Sequence, residues 1–231
     1  MTGLFLAVLF LSPAPPLSAA ATAPRPLPAT TVVAKYQQAL ATQKEPSAIS
    51  FDYTLEQSGV RELDQRHRVF RSGTDERDEV LVVNGRELTT PEVRIFRGRR
   101  DRYAIGRLAP SPARYVFVFA GTQRDGHHLD YVFTLTPKVP GVFIVTRVAI
   151  DGVAFLPTSI AFRVQGGGHG TVRYARTEKW WVPLSADASA HVNRALASEH
   201  LVFSNYLFPI TLPSSTFEKP RPLPTLPPSA E

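Results

Sequence analysis

Hydrophobic and polar residues alternate along much of the chain, which is typical of β-strands. In the stretch Phe51–Leu55, every second residue is apolar, and Asp52 and Thr54 lie between them. An antiparallel sheet that packs on one face shows this alternation. Residues 115–120 and 142–145 are instead apolar in both phases. The pattern therefore predicts early strands with one wet face and middle strands with both faces shielded from water.

Turns rich in glycine separate these runs, among them Asn84-Gly85, Asp125-Gly126 and Asp151-Gly152. Because Asn-Gly and Asp-Gly tolerate the positive φ values of tight hairpins, each pair predicts that the flanking runs are paired strands. We predict strands at about residues 51–57, 61–71, 76–83, 87–96, 101–107, 114–121, 128–136, 142–150, 154–164, 171–177, 179–186 and 198–207.

A single convincing helix is predicted near the start of the chain. It runs from Thr30 or Thr31, either of which can cap it, to about Gln43. Its apolar stripe has helical spacing and comprises Val33, Tyr36 and Leu40. Residues 186–198 are alanine-rich, as in a helix, but they lie between two strand-like runs. We favour a hairpin there.

One short helix cannot cover about a dozen strands, and open sheets of that size curl or close. We therefore predict a mainly β (α+β) fold, in which a strongly curved antiparallel sheet forms an incomplete barrel capped by the N-terminal helix and loops. A closed barrel of about eight strands is filled by its own side chains, whereas a larger one encloses a cavity. The apolar hollow expected here would suit an acyl chain. A filled β-sandwich core is the alternative.

One phase of the strands collects the larger aromatic side chains, and we predict that this phase lines the cavity. The opposite phase is the alternative. The predicted lining residues are Phe51, Tyr53, Tyr115, Phe117, Phe119, Tyr131 and Phe133.

The N-terminus is predicted to be a signal peptide over residues 1–23. Residues 4–11 are apolar but too few to span a membrane, and the alanines that follow offer A-x-A cleavage sites. A buried N-terminal strand is the alternative. After the signal we expect a proline-rich spacer at 24–29, one domain at 30–217 and a proline-rich disordered tail at 218–231. Because the chain has no cysteine, it has no lipidation site or disulfide, and we expect a periplasmic or secreted protein.

The formal net charge is +6, and much of the excess is arginine. One cluster is a candidate docking patch for an anionic membrane or an acidic acceptor protein. A sheet edge protected by charge is the alternative. Nucleic-acid binding is disfavoured by the export signal. The cluster comprises Arg97, Arg99, Arg100 and Arg102.

No catalytic motif is evident, and we expect no enzyme activity, metal or cofactor. His128 and Asp130 would share a strand face, with His127 on the other, but two ligands do not make a metal site. The loop at 166–170 is glycine-rich, yet no P-loop lysine follows it. The acidic run at 75–79, interleaved with arginine, is expected to be a solvated face.

Taken together, four segments resemble the LolA-like family of periplasmic lipoprotein carriers, whose relatives include LolB and the RseB-type stress sensors. The resemblance covers about residues 30 to 217. The segments are the amphipathic helix ending at Tyr36–Leu40, the strand Phe51–Leu55, the Trp180–Pro183 strand and the closing Tyr206–Pro209.

This resemblance implies an eleven-stranded half-barrel capped by helices, whose apolar cavity accepts the acyl chains of lipoproteins. Lid helices between the strands are not evident in this sequence. Arg66 and Arg68 are the nearest candidates for the family's cavity arginine. We expect a monomeric carrier that binds acyl chains of lipids or lipoproteins. The alternatives are an RseB-like sensor that binds lipid or apolar peptide, and a secreted structural module with a filled core.

Overall fold

The computed structural model describes residues 26–98, 103–125, 128–193, 195–208 and 210–218. Helix α1 (Ala29–Thr42) precedes the sheet, helix α2 (Ile105–Leu108) interrupts it, and a 3-10 turn (Ser214–Phe217) follows it. The strands are β1 (Ala48–Ser58), β2 (Leu63–Ser72), β3 (Asp75–Val83), β4 (Arg86–Phe96), β5 (Tyr115–Asp125), β6 (His128–Pro137), β7 (Phe143–Asp151), β8 (Pro157–Val164), β9 (His169–Thr177), β10 (Trp180–Val192) and β11 (Ala195–Leu207).

The strands form one sheet in the order β4-β3-β2-β1-β11-β10-β9-β8-β7-β6-β5. Every pairing is antiparallel. The first and last strands pair in the middle of the sheet, while β4 and β5, which follow one another in sequence, form its two edges. The sheet is therefore open, and the predicted incomplete barrel is confirmed.

Each of the eleven observed strands overlaps a predicted one. The hairpin favoured at 186–198 is confirmed, because β10 and β11 pair from Ser185↔Val202 to Val192↔Ala195. The strand predicted at 101–107 is wrong, since Ile105–Leu108 is helical. Ile105 and Leu108 are three residues apart, so one turn of helix directs both side chains into the core.

Helix α1 begins one residue earlier than predicted, and neither threonine caps it. The N-cap residue is Pro28, which makes no side-chain capping bond. Val32 and Tyr36 are fully buried in the helix. Of the predicted apolar stripe, Tyr36 therefore belongs to the buried core, and Val33 and Leu40 are partly buried against that core. Val32 is also buried in the core, although it is not part of the predicted stripe.

Tyr36 anchors α1 against the concave face of the sheet. Its ring lies 5.8 Å from that of Phe117 on β5. Its hydroxyl donates a 2.8 Å hydrogen bond to the carbonyl oxygen of Pro110. Burial raises the pKa of Tyr36 well above its usual value, so the phenol remains a neutral donor. The helix thus covers the β5–β6 side of the hollow and leaves the β1–β3 side to other segments.

Candidate functional site

A cavity of about 340 Å³ lies between the concave face of the sheet and the segments that cross it. Strands β1, β2, β3, β10 and β11 form its wall, and the C-terminal end of α1, residues 43–46 and α2 lie across from them. This volume is within the range of about 300–1,000 Å³ typical of small-molecule sites.

The β1, β10 and β11 side of the cavity is aromatic. The ring of Phe51 lies 6.0 Å from Phe203 and 5.4 Å from Tyr206. Tyr103 approaches Phe203 edge-on at 5.4 Å. The Trp181 indole donates a 2.6 Å hydrogen bond to the carbonyl oxygen of Pro157. Because these rings are held by one another or by a hydrogen bond, the apolar wall is formed in advance of any ligand.

The β2 and β3 side of the cavity is polar, which the sequence did not predict. Asp78 accepts a 3.1 Å hydrogen bond from the Tyr53 hydroxyl, and its other oxygen lies 2.7 Å from His67 Nδ1. His67 is only 2% exposed. Glu76 and Asp78 are each 8% exposed, so the expectation that residues 75–79 form a solvated face is wrong for these two. They alternate with Arg77 and therefore share the concave face with Val80.

The arginine in the cavity is Arg71, not Arg66 or Arg68. Arg71 forms a 2.7 Å ion pair with Glu76, and its guanidinium lies 5.5 Å from the centre of the Phe51 ring. Position 71 shares its strand face with Val69 and His67, whereas Arg66 and Arg68 lie in the opposite phase. This is why both candidates from the resemblance are wrong.

On that outer face, Arg68 forms a 3.0 Å ion pair with Asp52. Burial raises the pKa of Asp52, but hydrogen bonds from Arg68 and Asn205, together with the positive charge of Arg68, outweigh burial and hold the pKa below its usual value. Arg66 reaches Glu87 at 3.5 Å. These groups stabilise the convex surface and take no part in the cavity.

The seven predicted lining residues fall into three groups. Phe51 and Tyr53 line the cavity. Tyr115, Tyr131 and Phe133 are buried in the core on the side covered by α1. Of the remaining two, Phe117 packs against Tyr36 and Phe133, and Phe119 is 44% exposed at the β5 edge although it contacts Phe133.

The predicted docking patch falls mostly outside the described residues, which include Arg97 but not Arg99, Arg100 or Arg102. Arg97 bonds to the Asp75 carboxylate and donates a 2.7 Å hydrogen bond to the carbonyl oxygen of Phe217. These two bonds tie the end of β4 to β3 and to the 3-10 turn. Arg97 therefore links neighbouring segments of the fold in addition to contributing positive charge.

Metal binding finds no support in the described parts of the chain, where no three histidine or acidic side chains are grouped to hold an ion. Asp130, one member of the sequence candidate, accepts a 2.6 Å hydrogen bond from Thr158, and His127 lies outside the described residues. Among the helices of the described residues, none has the length and apolar character needed to cross a membrane.

The fold and site together define an open antiparallel half-barrel with an internal cavity that is aromatic on one side and polar on the other. Searches against protein-family profiles and curated proteins found no match.

The chain is similar to several solved structures. A LolA superfamily protein from Nitrosomonas europaea is 14% identical over 84% of this chain and 99% of its own, with a TM-score of 0.45. A putative outer membrane lipoprotein-sorting protein domain from Vibrio parahaemolyticus is 14% identical over 82% and 97%, with a TM-score of 0.46. The MucA/MucB complex of Pseudomonas aeruginosa gives 12% identity over 75% and 92%, with a TM-score of 0.27.

Proposed function

We propose that the protein is an extracytoplasmic carrier that binds an acyl chain of a lipid or lipoprotein in this cavity. The observation that supports the proposal is the aromatic wall of Phe51, Trp181, Phe203 and Tyr206, which faces a 340 Å³ space. Apolar side chains of the sheet complete this surface, namely Ile49, Val69 and Leu201. An acyl chain is long, flexible and apolar, so it can follow such a surface while remaining shielded from water.

The energy available is sufficient for useful affinity. Each buried methylene contributes about 0.8 kcal/mol, so a chain with about ten buried methylenes gains on the order of 8 kcal/mol. Part of this gain is lost in ordering the chain and the protein. The remainder is compatible with a carrier that binds its cargo and releases it to an acceptor.

Under this proposal the protein works in the periplasm or outside the cell, and the signal peptide predicted at residues 1–23 directs its export. A carrier exported without a lipid anchor diffuses freely between membranes. The cavity would then serve to shield an acyl chain during that passage, and the open side of the sheet would give the chain a way in.

A substitution that fills the cavity tests the proposal. Ala109 lines the cavity from the crossing segment, not from the sheet, so Ala109→Phe adds a ring there with little effect on strand pairing. If the ring displaces about two methylenes of an acyl chain, the affinity for a fluorescent fatty-acid probe should fall by at least about tenfold. Ala41→Phe, on the exposed side of α1, is the matched control and should bind like the unaltered protein.

Both variants are first compared with the unaltered protein by thermal unfolding, so that a loss of binding is not a loss of folding. Equal binding by Ala109→Phe and Ala41→Phe would contradict the proposed site. A tenfold difference between them would support it.

A further inference from the structure

We propose that one end of the sheet, where the β6–β7 and β8–β9 turns lie at the same end as the start of β5, docks onto an anionic phospholipid membrane. Successive antiparallel strands turn at alternate ends, so the β5–β6 and β7–β8 turns lie at the opposite end. We call this surface the basic end and define it by six exposed residues, none of which lines the cavity: Arg114, Lys138, Val139, Val142, Arg163 and His169.

Hydrogen bonds connect the segments of the basic end. Lys138 Nζ donates a 2.8 Å hydrogen bond to the carbonyl oxygen of Pro112, which lies just before β5. The backbone N–H of Gln165 donates a 2.8 Å hydrogen bond to the carbonyl oxygen of Val142. Val142 and Arg163 line one groove between the two turns. The three segments therefore form one continuous surface.

Charge is divided between the two ends of strands β5–β9. The sequence has four acidic residues between positions 104 and 186, and all four lie towards the end opposite the basic end. The basic end of these strands therefore carries positive charge without acidic residues of its own. The four acidic residues are Asp125, Asp130, Asp151 and Glu178.

The basic end is bounded by β10. This strand carries Asp187 opposite Thr171 of β9, and the Asp187 carboxylate lies 2.6 Å from His200 Nδ1. Outside the described ranges the acidic residues are Asp101 and Glu231, and arginines and lysines outnumber them there. Those parts of the chain therefore add more positive than negative charge.

The β6–β7 turn adds exposed apolar side chains to this charge. Val139 is 74% exposed, and Val142 is also exposed. Val116 and Val118 are exposed on β5 as well. Binding to a membrane surface strengthens with the apolar area that enters the interface and with attraction to anionic lipids. An acidic protein surface would use only the charges, whereas an anionic membrane uses the charges and the valines.

The β7–β8 turn provides a comparison at the opposite end of the sheet. Val153 is 82% exposed there, and its backbone N–H donates a 2.9 Å hydrogen bond to the carboxylate of Asp151. A single exposed apolar residue is ordinary in proteins. Val153 therefore has the exposure of Val139 without its basic surroundings, which makes it a matched control.

A fluorescent label at each turn shows which end contacts the membrane. Because the chain has no cysteine, Val139→Cys and Val153→Cys each accept one environment-sensitive dye in the purified full chain. Vesicles of phosphatidylcholine, with or without phosphatidylglycerol, are then added at low salt. We expect a blue shift for the label at residue 139 with the anionic vesicles and none for the label at 153. The shift should fade as salt is raised.

Unlabelled variants measure the contribution to affinity by vesicle co-sedimentation. Val139→Asp replaces an apolar side chain by a negative charge and should weaken binding to anionic vesicles about tenfold. Lys138→Gln should weaken it about fivefold, the loss expected for one basic residue near the membrane. Val153→Asp should bind like the unaltered protein. All three positions are exposed, so thermal unfolding should change little and confirms that the variants are folded.

Equal responses of the two labels would overturn the proposal. Co-sedimentation without a shift of the label at 139 would also overturn it, and the docking patch that includes Arg97 would then be tested as the contact. If the protein does not bind anionic vesicles at all, the proposal is wrong, and an acidic protein becomes the candidate partner. Because the basic end is separate from the cavity, the fatty-acid assay with Ala109→Phe tests the proposed function independently.

Discussion

Tyr36 is expected to be the side chain whose loss most weakens the attachment of α1 to the sheet. It is fully buried, packs on Phe117 at 5.8 Å, and donates a hydrogen bond to Pro110, which is itself fully buried. Tyr36→Phe keeps the ring and removes the donor for that carbonyl. Tyr36→Ala removes the ring as well.

The expected losses follow from these contacts. Leaving a buried carbonyl without its donor costs about 1–3 kcal/mol, and truncating a buried aromatic ring to alanine costs about 3–5 kcal/mol. For a domain of this size, each kcal/mol lowers the melting temperature by roughly 2–4 °C. Tyr36→Phe should therefore lower it by several degrees and Tyr36→Ala by more than about 6 °C.

Thermal unfolding followed by tryptophan fluorescence and by far-ultraviolet circular dichroism measures these shifts. Gln38→Ala, an exposed position on the same helix, is the control and should unfold like the unaltered protein. If Tyr36→Ala is no less stable than Gln38→Ala, Tyr36 does not anchor the helix. A loss for Tyr36→Ala but none for Tyr36→Phe would refute only the contribution of the hydrogen bond.

Three further predictions concern turns, pH and charge. Gly59→Ala should destabilise far more than Gly85→Ala in urea unfolding, because both have positive φ but only at Gly59 would a Cβ collide with the carbonyl oxygen of Leu196. The pKa of Asp52 is lowered on folding, so its contribution to stability is present above its ordinary value of 3.8 and is lost as the pH falls through the folded value. The Asp52→Asn protein should therefore be less stable than the unaltered protein at neutral pH. Its free energy of unfolding, measured with urea across this pH range, should also change less with pH below about 4. Replacement of all four of Arg97, Arg99, Arg100 and Arg102 by glutamine should make binding to anionic membranes weaker and less sensitive to salt, as measured by vesicle co-sedimentation at low and high salt. Equal binding by the variant and the unaltered protein would contradict the docking patch.

Much of the fold could be predicted because its signals are local. Period-two alternation and glycine turns are visible within a few residues, and each observed strand overlaps a predicted one. The helical turn at 105–108 was missed because its cause is not local. That segment crosses between the two edges of the sheet, and its shape depends on packing against residues far away in sequence, such as Phe203.

The aromatic half of the site was partly predictable and the polar half was not. Phe51 and Tyr53 followed from alternation. Glu76 and Asp78 were read as solvated because charged residues are rarely buried without partners, and their partners, Arg71 and His67, lie on a different strand. The β2–β3 register supplies that pairing. Arg71 could have been predicted as the cavity arginine, because it lies two residues from Val69 and therefore shares its strand face, whereas Arg66 and Arg68 lie on the opposite face.

The central claim is that an acyl chain lies in the cavity, and contact quenching of Trp181 tests it most directly. Trp181 lines the cavity, whereas Trp180 is not among the lining residues and its ring lies 6.2 Å from that of Phe208. Bromine quenches tryptophan only near contact, so a brominated acyl chain reports which indole it touches. The account predicts quenching in the Trp180→Phe protein, which retains Trp181, and little quenching in the Trp181→Phe protein. Quenching of Trp180 alone, or of neither indole, would contradict it.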